Sequence, residues 1–146
     1  MLNAPVPDKD RRSVGERRVL YIEDNPVNAT LMVAMLESLP GLKVSHAARP
    51  EQGLVMAQAE PPDLVLVDIQ MPGMDGFQVL RHLRASPNTR DTPVIAVTAN
   101  AMPHDVSRGL DAGFADYLTK PLHLPQLLRS VCRCLGLPQP EGLPEG

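Results

Sequence analysis

Asp68 closes the run LVLVD, Glu23 and Asp24 follow RRVLYI, Thr98 follows VIAV, and Lys120 comes just after ADYL. Each run is short and aliphatic enough to be a buried strand, yet each is followed by a group that handles charge. Packing alone does not call for three carboxylates, a hydroxyl and an ammonium at strand ends. Three carboxylates brought together repel, and their pKa values rise unless a cation joins them. A hard divalent ion with oxygen ligands is the natural resident, and Mg²⁺ suits better than Ca²⁺. It needs only one or two protein carboxylates beside water and an incoming phosphate, and no repeated-acid calcium loop is present. A carboxylate can also attack phosphorus, a reaction that depends on positioning and charge neutralisation. On this reading Asp68 is the nucleophile and Glu23 and Asp24 hold the metal. Lys120 and Thr98 hold phosphoryl oxygens.

The elements that must position these groups follow from periodicity and from proline punctuation. The chain has 16 prolines, about twice the usual share, and most fall where periodic segments start or stop. Arg17–Ile22 is a strand. Asn25 then reads as an N-cap with Pro26 at the first helical position. Leu31, Met32, Met35, Leu36 and Leu39 form the apolar stripe of the helix that follows. Leu42–Ala47 is a second strand, nearer an edge. Residues 49–59 are a helix whose softer face is Leu54, Val55 and the alanines at 57 and 59. Leu64–Asp68 is the third strand, and residues 76–85 are a helix with Phe77, Val79, Leu80 and Leu83 inward. A polar loop leads to the fourth strand at 94–97. A helix from Pro103 to Ala112 ends at Gly113, and residues 115–118 are the fifth strand. Leu124, Leu127, Leu128, Val131 and Leu135 form the stripe of a last helix, closed by Gly136. Strand then helix, five times, gives an α/β fold: a parallel sheet covered on both faces and doubly wound. Such sheets bind ligands outside the carboxyl ends of their strands.

Composition removes other classes. The 146 residues make one domain, and a net charge of −3 gives no pull toward nucleic acid or an anionic membrane. No apolar run approaches the roughly 18 residues of a membrane span. Cys132 and Cys134 are too close in a helix to bridge and too few to complete a metal site. His46, His82, His104 and His123 share no motif and are expected at the surface, with His123 at a helix N-cap. Residues 1–16 read as a flexible arm or linker and 137–146 as a flexible tail, leaving 17–136 as the domain.

Taken together, these marks resemble the response-regulator receiver domain of two-component signalling. They are Glu23 and Asp24 after strand one, Asp68 with Met71, Pro72, Asp75 and Gly76, Thr98 with Ala99, and Lys120 with Pro121. The resemblance implies a flavodoxin-like (βα)5 sandwich with strand order 2-1-3-4-5. It implies that Asp68 is the phosphoacceptor, that Asp24 and Asp68 ligate Mg²⁺, that Glu23 acts through water and that the Gln70 backbone carbonyl is a further ligand. Tyr117 matches the family's aromatic switch, turning inward when Thr98 moves toward the phosphoryl group. The Lys120–Pro121 bond is expected to be cis. The face formed by residues 103–135 would be read by a downstream protein, with no direct nucleic-acid binding and no membrane insertion. The phosphoryl donor would be a sensor histidine kinase or a histidine phosphotransfer protein, the location cytoplasmic, and homodimerisation is left open. Residues 22–28 (IEDNPVN) and 98–105 (TANAMPHD) look most like receivers fused to hybrid sensor histidine kinases. This favours a piece of a longer kinase over a stand-alone receiver.

Three rivals use related folds. A haloacid-dehalogenase-type phosphatase needs a second acid two residues after its nucleophile, where this chain has Gln70. A receiver that only docks proteins would lack the Asp, the Lys or the acidic pair. A flavodoxin-like cofactor carrier needs a phosphate-cradling loop after strand one, where this chain has the acidic EDNPVN. The reading is therefore a signalling phosphoacceptor, not a turnover enzyme, that catalyses its own phosphorylation and slow dephosphorylation.

Overall fold

LVLVD carries no polar residue before its last position, and a strand so apolar is stable only with both faces covered. In the computed structural model, which describes residues 16–99 and 102–140, it is the middle strand of five. The strands are β1 (Arg17–Ile22), β2 (Leu42–Ala47), β3 (Leu64–Asp68), β4 (Val94–Thr98) and β5 (Asp116–Thr119). They alternate with α1 (Pro26–Leu36), α2 (Pro50–Ala59), α3 (Gly76–Ala85), α4 (Pro103–Ala112) and α5 (Leu124–Leu135). Every pairing is parallel and the order is β2-β1-β3-β4-β5, as expected. β3 and β4 are buried at every position, whereas the edge strand β2 alternates. The expected arm, apart from Glu16, the last six residues of the tail and Asn100 lie outside the described residues.

The pleat sends alternate strand residues to two separate cores. On one face Val19, Tyr21, Leu64, Leu66, Ile95, Val97 and Leu118 meet Met32 and Leu36 of α1 and Leu127, Leu128 and Val131 of α5. On the other, Leu20, Ile22, Val65, Val67, Val94 and Ala96 meet Ala57 of α2 and Val79, Leu80 and Leu83 of α3. Gly53 lets α2 lie close to the sheet, since a Cβ there would come within 2.5 Å of Ile22 Cδ1. At about 25 cal/mol per Å² of apolar surface, each fully buried Leu or Ile contributes roughly 2 kcal/mol before entropy is counted.

Caps fix where the helices start. Asn25 Oδ1 accepts from the Val27 and Asn28 amides, as the sequence suggests. Asp75 and Gln78 form a reciprocal capping box at α3, each side chain accepting from the other's amide at 2.9 Å. Gly113 and Gly136 end α4 and α5 in the left-handed region, with φ of 115° and 69°. His123 is the N-cap of α5 but makes no side-chain capping bond.

Three stripe assignments need correction. Leu31 is 57% exposed, Val55 69% and Leu124 38%. Helical spacing marks an arc of about 100° or more, and the inner part alone reaches the sheet. α1 stops at Leu36, so Leu39 is buried from the turn that follows rather than from the helix. α2 starts at Pro50 with Arg49 as its cap, and β5 starts at Asp116, one residue later than expected. The polar loop before β4 is more ordered than its composition implies. Thr89 is buried, donates to Leu83 O at 2.7 Å and accepts from Gln58 Nε2 at 3.2 Å.

Candidate phosphoacceptor and metal site

Register brings the strand ends into one row. Ile22 pairs with Val67, Asp68 with Val97, and Thr98 with Thr119. The ladder continues past the strands: Ile69 N donates to Val97 O at 2.9 Å and Lys120 N to Thr98 O at 2.7 Å. Glu23, Asp68, Thr98 and Lys120 therefore leave the sheet at the same edge. The Lys120–Pro121 bond is cis, matching the resemblance.

Lys120 Nζ stands between two acids. It lies 2.8 Å from Glu23 Oε1 and 3.0 Å from Asp68 Oδ2, with Glu23 completely buried and Asp68 nearly so. Asp68 Oδ1 accepts from the Gln70 amide at 3.1 Å, and Glu23 Oε2 accepts from the Asn25 amide at 3.2 Å. Burial pushes the Glu23 carboxyl up, but hydrogen bonds from Lys120 and the Asn25 amide outweigh it and hold the group down at about 2. Burial and the adjacent Glu23 raise the Asp68 carboxyl despite Lys120 and the Gln70 amide. Burial would lower the Lys120 ammonium, yet its bonds to both acids raise it. The expected repulsion among carboxylates thus falls on Asp68, and Lys120 is the cation that contains it.

Glu23, Asp24 and Asp68 each present a carboxylate oxygen, all within 4.8 Å of one another. An oxygen-only set with two buried members and an exposed Asp24 fits Mg²⁺, which keeps several waters. The chain's contribution to such an ion would be these carboxylates, with Lys120 leaving room for one further anion.

Thr98 and Tyr117, the residues the resemblance assigns to a switch, are both buried on the β4–β5 pair. The Tyr117 ring packs edge-on to Phe114 at 6.3 Å, and Phe114 edge-on to Phe77 at 5.3 Å. Arg108 of α4 lies over the Phe77 ring at 4.3 Å. Both phenylalanines and one of the two tyrosines thus form a row from the start of α3 to β5.

Three neighbours escaped sequence reasoning. Tyr21 OH donates to Glu23 Oε1 at 3.0 Å. His46 Nε2 lies 2.7 Å from the Glu23 carbonyl, so this histidine is not simply a surface residue. Gly109 packs directly under Tyr117. The first was readable: residues two apart on a strand share a face, so Tyr21 had to point the way Glu23 does.

Residues 19–132 match the family described as Response regulator receiver domain. The chain is 41% identical over 123 residues to the sensor histidine kinase GacS of Pseudomonas protegens, covering 82% of this chain and 13% of that protein. It is 38% identical over 132 residues to the signal transduction histidine-protein kinase BarA of Escherichia coli K12, covering 88% and 14%. It therefore spans only about one-seventh of these relatives. Among solved structures, it superposes with a TM-score of 0.75 and 40% identity on the receiver domain of the sensor histidine kinase PA1611 of Pseudomonas aeruginosa, whose active site cleft holds a magnesium ion. That match covers 83% of this chain and 98% of the other. The chemotaxis protein CheY4 of Vibrio cholerae gives 0.76 at 27% identity, covering 82% and 99%.

Proposed function

Because the chain belongs to the response-regulator receiver domain family of two-component signalling, we propose that Asp68 is its phosphoacceptor, charged from a phosphohistidine. The observation that carries this is the placement of one ammonium, Lys120 Nζ, between the Glu23 and Asp68 carboxylates at the carboxyl edge of the sheet. An Asp68 oxygen forms the new P–O bond as the P–N bond to the donor imidazole breaks, and the imidazole leaves neutral after taking a proton. Lys120 moves onto a phosphoryl oxygen, and the Thr98 hydroxyl donates to another. Glu23, Asp24, Asp68 and the Gln70 carbonyl would hold Mg²⁺, which when bound neutralises charge on the transferring group. No second acid stands at position 70 to protonate a leaving group, which favours a phosphoacceptor over a phosphatase.

The donor is a sensor histidine kinase or a histidine phosphotransfer protein, and the chain is the receiver portion of a longer hybrid kinase. Its identity with GacS and BarA supports that reading. Among the described residues no helix is long and apolar enough to cross a membrane. The downstream protein reads the 103–135 face, where Leu110 and Leu124 are exposed next to the exposed Met102 that caps α4. On phosphorylation, Thr98 draws toward the phosphoryl group and holds in place the Tyr117 ring, which already lies buried in this structure rather than waiting to turn inward, and so stabilises one form of that face.

The test is incubation with Mg²⁺ and a small acyl phosphate or a phosphorylated histidine kinase. The expected product is an acid-stable, hydroxylamine-labile adduct on Asp68. Labelling that persists in Asp68→Asn would overturn the assignment.

A further inference from the structure

Glu23 poses a problem for the reaction just described. Its carboxylate is completely buried, and Oε1 takes its shortest hydrogen bond from Lys120 Nζ at 2.8 Å. Lys120 also serves Asp68, at 3.0 Å. Once Asp68 carries a phosphoryl group, two or three new anionic oxygens compete for the same ammonium. If Lys120 goes to them, Glu23 Oε1 loses its shortest hydrogen bond in a buried place, and an Mg²⁺ ion held by the acids would balance charge without replacing that donor.

Tyr21 answers that problem. Its hydroxyl reaches the same oxygen, Oε1, at 3.0 Å. The residue is 1% exposed, and its ring is fixed in the core between α1 and α5. A phenol is protonated at neutral pH and donates one hydrogen bond. Most of the β1 core is aliphatic, with Val19, Leu20 and Ile22 beside it, so packing alone had no need of an oxygen here. The Glu23 carboxylate is also held at its other oxygen, Oε2, by the Asn25 amide at 3.2 Å. Tyr21, Lys120 and Pro121 border one cavity of about 300 Å³.

We infer that Tyr21 is a positioning residue: its hydroxyl keeps the Glu23 carboxylate hydrogen-bonded while Lys120 transfers from Glu23 to the phosphoryl group. The inference rests on the reading of Asp68 as phosphoacceptor. Tyr21 lowers the cost of the partner exchange and touches neither the phosphoryl group nor the donor.

Tyr21→Phe removes one oxygen and keeps the ring, so the fold is retained, which an unchanged circular dichroism spectrum and a cooperative melt check. Three quantities are read on the wild type and this variant: Mg²⁺ affinity, affinity for beryllofluoride in the presence of Mg²⁺, and the exchange rate of the Lys120 ammonium protons without metal, by NMR. The variant should lose about tenfold in beryllofluoride affinity, the worth of one hydrogen bond to a charged group, with Mg²⁺ affinity unchanged. Lys120 protons should exchange more slowly, because Glu23 now depends on Lys120 more. In a Lys120→Met background the Tyr21→Phe effect on beryllofluoride should vanish. Equal losses for both ligands, or an effect that survives in Lys120→Met, would make Tyr21 merely structural and overturn the inference. If wild type bound no beryllofluoride, the phosphoacceptor reading would fail on its own. The metal-free exchange rates would still decide whether Tyr21 and Lys120 compete for Glu23.

Discussion

The backbone of Gly109 lies so close to Tyr117 that a Cβ added there would overlap the Cδ2–Cε2 edge of the ring. Helix α4 accepts the buried Tyr117 ring because it has no side chain at this one place.

Gly109→Ala therefore sets two effects against each other. Alanine favours a helix over glycine by about 1 kcal/mol, while overpacking costs about 1–3 kcal/mol. The expected result is a Tyr117 ring driven outward and a net loss of about 1 kcal/mol. Fluorotyrosine NMR with a soluble paramagnetic quencher should show Tyr117 newly accessible. In a Tyr117→Ala background the same change should turn stabilising. A Tyr117 signal that stays shielded in the folded variant would rule the socket out.

Lys120→Met should leave Glu23 and Asp68 side by side without their cation. Breaking a buried pair in this way costs on the order of 3 kcal/mol, toward the lower end because the Lys120 side chain is 20% exposed. Thermal melts in a chelator should show the loss. Mg²⁺ at about 100 times its dissociation constant should restore about 2.7 kcal/mol. A variant as stable as wild type in chelator would remove Lys120 from this role.

The acids give opposite pH signatures. Glu23 has a lowered pKa, so its stabilisation is present above the ordinary glutamate value and is lost as pH falls from about 4.5 toward about 2. Asp68 has a raised pKa, so its contribution is favourable below the ordinary aspartate value and is lost as pH rises through the raised one. At neutral pH without metal, the environment of Asp68 is thus a net cost to stability. Asp68→Asn should raise the urea midpoint at pH 7, and the gain should shrink on mild acidification and on adding Mg²⁺ to the wild type. A variant less stable than wild type at pH 7 would contradict this sign.

Thr89→Val tests the opposite side of the fold. It removes the bonds to Leu83 O and from Gln58 Nε2, at a cost of about 1–2 kcal/mol. Asp68 labelling by an acyl phosphate should proceed at the wild-type rate. A slowed rate would show that the loop before β4 communicates with the acceptor.

The strands and the charged row at their ends could be read from the sequence because parallel strands bury both faces. Any polar residue at their edge then stands out, as Asp68 does after four aliphatic residues. Helix faces were less legible. Leu31 and Val55 fit the period but sit at the margin of the arc, where solvent wins. Buried threonines such as Thr89 were hidden because their partners, Leu83 O and Gln58, depend on how the chain turns back. Gly109 left no signal, since a glycine in a helix says nothing of the ring it makes room for.

Lys120 and Glu23 are 97 residues apart, and Lys120 and Asp68 are 52 apart. A chain still emerging during synthesis, with β1 and β3 formed but β5 unmade, would present its acids without their cation. Under the role proposed for Asp68, competence to be phosphorylated therefore arrives only once β5 has been made and has carried Lys120 to the other edge of the pair of acids.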